Sequence, residues 1–339
     1  MKEIYINKTQ EGQTIYKFIR KYFSSAPLSF IEKLFRIRDV KVNGKRVSKA
    51  YVVNDGDYVQ IYVTDNQLED FKKKIVLVPS KQKINIIYED ENILICNKPS
   101  GLLVHGDENE NRLTLTGLVL SHLYEKGEYD PNDSQGFTPG PAHRIDRNTS
   151  GLVIFGKNIK ALQQLEELFK ERHSIHKYYY ALVLGHLEGT GEINKPLFKD
   201  EEKGLVVVKS VEKGGKTAIT QYEVVEEYND YSLVKVCILT GRTHQIRVHF
   251  ASIGHPLLGD SKYGNFIENR RFEKRYDYRN QFLHSFSMRF DEIDGVLSYL
   301  SNKEFTASMY DKEKEIINEL RKYKWEAWIR QCSLQNIFL

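Results

Sequence analysis

His143-Arg144-Ile145-Asp146-Arg147-Asn148-Thr149-Ser150-Gly151-Leu152-Val153-Ile154-Phe155 holds the densest cluster of reactive side chains in the chain and runs from them directly into an apolar stretch. Arg144 and Asp146 alternate around Ile145, so in extended backbone they project to the same side. Gly151 and the small hydroxyl residues before it lead into a strand at Leu152–Phe155. A carboxylate between Arg144 and Arg147 is expected to be held in its charged form, because a cation within ~4–6 Å stabilises the carboxylate. In a cleft such a group is a nucleophile or a stabiliser of developing positive charge. At a strand end it is, more commonly, half of a structural ion pair.

Working outward, short strands dominate. Ile84–Tyr88 and Ile93–Asn97 flank the turn 89–92, Lys98 to His105 continues as loop and strand, and later strands are expected at Tyr180–Leu184, Gln221–Val225 and Ser232–Leu239. Helical periodicity marks Ile159–Phe169 and Lys312–Trp328. This mixture predicts an α+β domain over 84–330, built around a large mixed, mostly antiparallel sheet. Within it, His176-Lys177-Tyr178-Tyr179-Tyr180-Ala181-Leu182-Val183 places Tyr178 and Tyr180 on one face of a strand and Tyr179 on the other. Aromatic rings beside basic groups suit base stacking, although tyrosine is also an ordinary strand residue. In Thr240-Gly241-Arg242-Thr243-His244-Gln245-Ile246-Arg247-Val248-His249-Phe250, Thr243 is expected to cap a helix with Ile246, Phe250 and Ile253 on its apolar face, Arg247 in an early turn and Gly254 as its stop. His244 and His249 do not share a face as an i, i+4 zinc pair would, so no metal site is expected.

The first fifty residues differ in texture. Twelve Lys/Arg against four acids give them +8, whereas the whole 339-residue chain carries only +4. A basic end on a near-neutral body points to a polyanion-binding module or to a solvated charged face. Ile15, Phe18, Ile19 and Phe23 line one face of a helix. Ser29-Phe30-Ile31-Glu32 reads as a capping box opening a second helix that buries Ile31, Leu34 and Phe35 and presents Lys33, Arg36 and Arg38. Val40 to Val47 alternates around Asn43-Gly44, a strong hairpin signal that also carries Lys41, Lys45 and Arg46. A final strand runs over Tyr58–Val63. This order resembles the alpha-L RNA-binding domain first known from a small-subunit ribosomal protein, which implies a small N-terminal α/β RNA-binding domain over residues 1–64. Residues 65–83, with Lys72-Lys73-Lys74 and Pro79-Ser80, read as a linker.

Composition excludes several classes. No window holds the ~20 consecutive apolar residues of a membrane span, so no membrane partner is expected. The start Met1-Lys2-Glu3-Ile4-Tyr5 lacks a signal-peptide core. Cys96, Cys237 and Cys332 are too few and too scattered for a disulfide framework, so a cytoplasmic location is expected. Gly214-Gly215-Lys216-Thr217 imitates the end of a phosphate loop, but Ser210 stands where that motif needs glycine. Trp325 and Trp328, three apart on a helix, are expected to pack in a core or between domains.

Taken together, the motifs resemble the RluA family of RNA pseudouridine synthases. The family's H-R-[LI]-D-R-x-T-S-G-L runs without a gap from His143 to Leu152, K-x-Y-x-A-x-V falls on Lys177, Tyr179, Ala181 and Val183, and G-R-T-H-Q-I-R-V-H falls on Gly241 to His249. G-H-P-[LI]-x-G-D and Y-G follow at Gly254–Asp260 and Tyr263-Gly264, N-K-P-x-G-L-x-V-H precedes them at Asn97–His105, and L-H comes late at Leu283-His284. The resemblance covers about residues 84–320. It implies a cofactor-free, metal-free conversion of uridine to pseudouridine in RNA, most directly 23S ribosomal RNA, by a monomer. It makes Asp146 the catalytic carboxylate, pairs Arg247 with it (Arg242 being the weaker candidate), stacks Tyr179 on the target uracil and lets Arg144 fill the space of a flipped nucleotide. Arg147 is expected among the RNA contacts. Whether the carboxylate attacks sugar or base or abstracts a sugar proton stays open. Two departures are evident: an acidic stretch over Glu125–Pro139 that reads as a surface insertion, and Asp291-Glu292-Ile293 where the family has His-Pro. A silent RNA-binding protein and an aspartate-nucleophile glycoside hydrolase are the rival classes. The hydrolase usually needs a second carboxylate as proton donor, and none lies within the three motifs.

Overall fold

The computed structural model describes residues 1–71, 82–106, 113–131 and 137–335, with side chains up to residue 325, residue 69 apart. Residues 1–71 form β1 (Lys2–Tyr5), α1 (Ile15–Tyr22), α2 (Leu28–Arg36), β2 (Val40–Val42), β3 (Lys45–Arg46), β4 (Tyr58–Ile61) and α3 (Asp65–Phe71). The strands order as β1-β4-β2-β3. Ile15, Phe18, Ile19 and Phe23 pack with Ile31, Leu34, Val40, Val42, Val59 and Ile61 in one core. The hairpin turns at Asn43 (φ 51°) and Gly44 (φ 74°), both left-handed, as a two-residue turn of the strand-matching type requires.

Three local expectations fail here. Helix α2 starts one residue before Ser29, behind Pro27 at φ −63°, and no side chain caps it. The would-be capping-box Glu32 instead accepts from the Tyr16 hydroxyl at 2.8 Å and pairs with Lys49. Strand β1 was not foreseen; it adds to β4 in register Lys2↔Ile61 to Tyr5↔Tyr58. The segment expected to begin a linker is helix α3, because Leu68 and Phe71 fall three apart and pack on the same core, Phe71 against Phe30 with centroids 4.6 Å apart. The rest of that linker, with Lys72-Lys73-Lys74 and Pro79-Ser80, lies outside the described residues.

From residue 85 the elements are β5 (Asn85–Glu89), β6 (Ile93–Lys98), α4 (Leu115–Glu125), β7 (Gly140–Pro141), β8 (Ser150–Gly156), α5 (Ile159–Glu171), β9 (Ile175–Leu184), β10 (Thr190–Asn194), β11 (Leu197–Asp200), β12 (Leu205–Val208), β13 (Ile219–Glu227), β14 (Tyr231–Ile238), α6 (Gln245–Ser252), α7 (Phe266–Tyr276), β15 (Leu283–Phe290), β16 (Glu304–Thr306) and α8 (Asp311–Gln335). One mixed sheet runs β10-β13-β14-β9-β15-β8-β6-β5, with β16 beside β15 and β7 beside β8. Among the described strands of that sheet, the β15–β8 contact is the parallel one. Both faces of the sheet are covered, which is why β6 and β8 read as unbroken apolar runs. Leu94, Cys96, Val153 and Phe155 face a core that includes Ile246 and Phe250 of α6. Ile93, Ile95, Leu152 and Ile154 face Ala161, Leu165 and Leu168 of α5. The N-terminal segment meets the start of α5 through Lys160–Glu11 at 2.8 Å and the Ile159 amide on the Thr9 carbonyl at 3.3 Å.

The acidic stretch is only in part a surface feature. Tyr129 and Phe137 are buried, and Glu128 pairs with Lys126 and Lys157; Asp133 lies outside the described residues. Trp325 is 62% exposed rather than packed in a core, and the side chain of Trp328 lies outside the described residues. Among the described residues no helix is long and apolar enough to cross a membrane.

Gly151 is the tightest point of the sheet. It sits at φ +113° opposite Ser285, and a Cβ there would lie 2.2 Å from the Ser285 carbonyl oxygen. Both the backbone angle and the contact exclude a side chain. Gly151→Ala is expected to destabilise the fold by roughly 2–4 kcal/mol, read as a lowered urea midpoint with an unchanged slope.

Candidate active site

The reactive motif folds as the loop between β7 and β8, and two strands of loop contacts set its shape. Lys98, fully buried at the end of β6, donates to three carbonyls: Pro99 at 2.9 Å, Leu102 at 2.8 Å and Arg147 at 2.9 Å. Burial pushes its pKa down to about 7, with the Asp146 charge opposing. Ser100 donates to the Asn148 carbonyl at 2.8 Å, and the Gly101 amide to the Arg147 carbonyl at 2.9 Å. The 98–102 loop thereby clamps the backbone beside Asp146.

Asp146 lines a cavity of about 540 Å³ together with Tyr179, Arg144, Arg242, His244 and Arg247. Its cationic partner comes from α6: Arg247 Nη1 donates to Asp146 Oδ2 at 2.9 Å. The neighbouring arginines do not supply it. Arg147 turns away and donates through Nε to the Gly101 carbonyl at 3.1 Å, and it does not line the cavity. Arg144 is exposed at the cavity. Residues 143–149 are loop and turn rather than extended strand, so alternation does not govern where Arg144 and Asp146 point.

Arg247 is itself held. Its Nε and Nη2 donate to the two oxygens of Asp260 at 2.7 and 2.8 Å, a bidentate fork that leaves Nη1 for Asp146. Asp260 is 1% exposed and also accepts from the Lys262 and Tyr263 amides. Burial alone raises the Asp260 carboxyl, but the Arg247 guanidinium and then those amides outweigh it, and its pKa lies below the usual carboxylate value. Burial likewise opposes the Arg247 charge, while Asp260 and then Asp146 raise its pKa.

Tyr179, on β9, is buried with its ring on the α6 side of the sheet, whereas Tyr178 and Tyr180 lie against Phe286 on the other. Burial first, and the Asp146 charge further down, raise its pKa, so it is a neutral phenol at the cavity wall. Arg242 lines the cavity and donates to the Thr217 carbonyl at 3.0 Å. Thr243 does not cap α6. The N-cap is His244 in a left-handed conformation, while Gln245 folds back to accept from the Thr240 hydroxyl at 2.8 Å and the Arg242 amide at 3.0 Å. Gly254 at φ +87° does end the helix.

Of the N-terminal candidates, Lys33, Arg36, Arg38, Lys45 and Arg46 are exposed, and Lys41 donates to the Tyr62 hydroxyl at 3.1 Å; none lines the cavity. Sequence reasoning assigned no role to Asp260, Tyr263 or Lys98. All three stood in matched motifs, but nothing in their spacing tells which groups they hold.

The cavity thus joins a carboxylate held by a fixed guanidinium, a phenol in its wall and arginines along its lining. The fold is shared with solved structures: human RNA pseudouridylate synthase domain containing 4 superposes with a TM-score of 0.56 at 22% identity, over 70% of this chain and 93% of that one. Human RNA pseudouridylate synthase domain containing 1 gives 0.50 at 24%, over 71% and 96%. Residues 92–252 match the RNA pseudouridylate synthase family. Ribosomal large subunit pseudouridine synthase C of Vibrio cholerae is 34% identical over 84% of this chain and 87% of its own. Ribosomal large subunit pseudouridine synthase D of Buchnera aphidicola is 31% identical over 92% and 95%. The chain therefore belongs to the RNA pseudouridine synthases, within the RluA family, and is an isomerase.

Removing Asp260 leaves a buried guanidinium with half its partners. Asp260→Ala is expected to cost about 3–5 kcal/mol of stability by urea denaturation. Arg247→Lys keeps the charge but loses the planar fork that grips Asp260 through two donors while a third holds Asp146, and is expected to lower pseudouridine formation at least ~10²-fold in a tritium-release assay.

Proposed function

We propose that this chain converts uridines of large-subunit ribosomal RNA to pseudouridine, with Asp146 as the catalytic carboxylate and no cofactor. The observation that carries the reading is the Asp146–Arg247 pair at 2.9 Å inside a cavity walled by Tyr179. The chemistry balances without a co-reactant: the bond from N1 to the sugar breaks, one from C5 forms, C5 loses a proton and N1 gains one. Nothing is oxidised or reduced. Asp146 supplies the negative oxygen, Arg247 fixes where it points, and Tyr179 packs against the uracil ring. Arg144, exposed at the cavity, takes the place of the flipped base. Flipping costs a few kcal/mol, least in loops and bulges, so the target is an unpaired uridine.

The ribosomal target is supported by the relatives named for the large subunit. Residues 1–64 act as an alpha-L type RNA-binding domain, in which Lys33, Arg36, Arg38, Lys41, Lys45 and Arg46 meet phosphates and add affinity without reading sequence. Arg242 joins them at the cavity, and Arg147 serves the loop clamp instead.

The test is a pseudouridine map of ribosomal and transfer RNA with the gene present, deleted, and restored as Asp146→Ala. Ribosomal sites are expected to vanish on deletion and to stay absent with the Ala variant. An unchanged map in both RNA classes overturns the ribosomal target. Arg36→Ala combined with Arg46→Ala is expected to raise KM with kcat intact and to shallow the logarithmic salt dependence by about two charges.

A further inference from the structure

His244 is the least comfortable residue of the site. It is a non-glycine residue at φ 53°, ψ 20°, at the N-terminus of α6, and its side chain makes no capping bond there. Left-handed non-glycine residues are uncommon and cluster where a side chain has to be aimed. This one is aimed at Asp146: Nε2 lies 3.9 Å from Oδ2, the oxygen that already accepts from Arg247. Its other nitrogen is engaged, with Nδ1 2.8 Å from the Tyr263 hydroxyl and the rings edge to face at 5.5 Å.

Tyr263 decides the tautomer. Its oxygen accepts from the Val206 amide at 2.9 Å, which turns its own proton toward Nδ1. The single hydrogen of a neutral imidazole then sits on Nε2, facing the carboxylate. Burial foremost lowers the His244 pKa, with the Asp146 charge opposing and Arg247 assisting, so the ring is neutral. The same segment organises both donors: Asp260 grips Arg247, and Tyr263 orients His244 while lying 5.2 Å from the Arg247 guanidinium.

We propose that His244 is a positioning residue that closes onto Asp146 Oδ2 when substrate enters, so that Oδ2 is held by two donors and Oδ1 is the reacting oxygen. The inference rests on the pseudouridine-synthase reading of Asp146. It predicts that the imidazole acts on the chemical step and not on RNA affinity.

The test measures kcat and KM by tritium release from C5-labelled ribosomal RNA transcribed without modification, on the full chain. His244→Ala is expected to lower kcat about 10²-fold with KM little changed, and added imidazole to restore part of it. His244→Gln, which keeps an amide donor and the same backbone burden, is expected to retain activity within about tenfold of wild type. Tyr263→Phe is expected to lower kcat in the same direction, and the double variant with His244→Ala to fall no further than the slower single. Wild-type kcat in His244→Ala overturns the proposal. So does equal loss in the Ala and Gln variants without an imidazole response, which assigns His244 to packing alone. Asp146→Asn runs alongside: if it keeps wild-type kcat, the reading of Asp146 falls, an outcome distinct from failure at His244 alone.

Discussion

One guanidinium organises the site. Arg247 directs two of its donors to Asp260 and one to Asp146, so the position of the Asp146 carboxylate is inherited from a buried carboxylate behind it. Buried ion pairs contribute little to net stability and much to geometry, because breaking one leaves a stranded charge. The fold respects that constraint. Helix α6 is buried from Gln245 to Phe250 and cannot turn, and the segment after it delivers Asp260 and Tyr263 back to the same arginine and histidine.

The Asp146 loop is controlled from the opposite side. Lys98 gathers three carbonyls under it, and Ser100 and Gly101 fasten to residues 147 and 148. Two clamps, one of side-chain charge and one of backbone carbonyls, thus meet at a single residue. The mixed sheet brings them together through the close approach at Gly151, where β8 and β15 touch.

Much of this was legible in the sequence. The apolar runs at 93–96 and 152–155 announced strands, the alternation of three tyrosines sorted Tyr179 from its neighbours, and Asn43-Gly44 announced its hairpin. Asp146, Tyr179 and Arg247, named from motifs, share one cavity. What failed was local inference about partners. Arg144 and Arg147 are adjacent to Asp146 in sequence, yet the cation that meets it comes from 101 residues away. Caps were misjudged at Ser29, two residues past the actual cap Pro27, and at Thr243, one residue before the actual cap His244; Glu32 and Gln245 meanwhile serve other partners. Asp260 was unreadable for the same reason: its role is a distance, and distance across a fold is not a spacing along a chain.

The β8–β15 contact also bears on how the molecule folds. It joins Ser150 to His284, 134 residues apart, and its neighbours lock Asp146 and Arg247 across 101. Contacts of such sequence separation form only after the loop-closure entropy has been lost. The N-terminal core, by contrast, is drawn from the first 71 residues. During synthesis the basic segment is complete while Arg247 and Asp260 have yet to leave the ribosome. The nascent chain therefore completes its basic N-terminal core before the cavity around Asp146 is able to close.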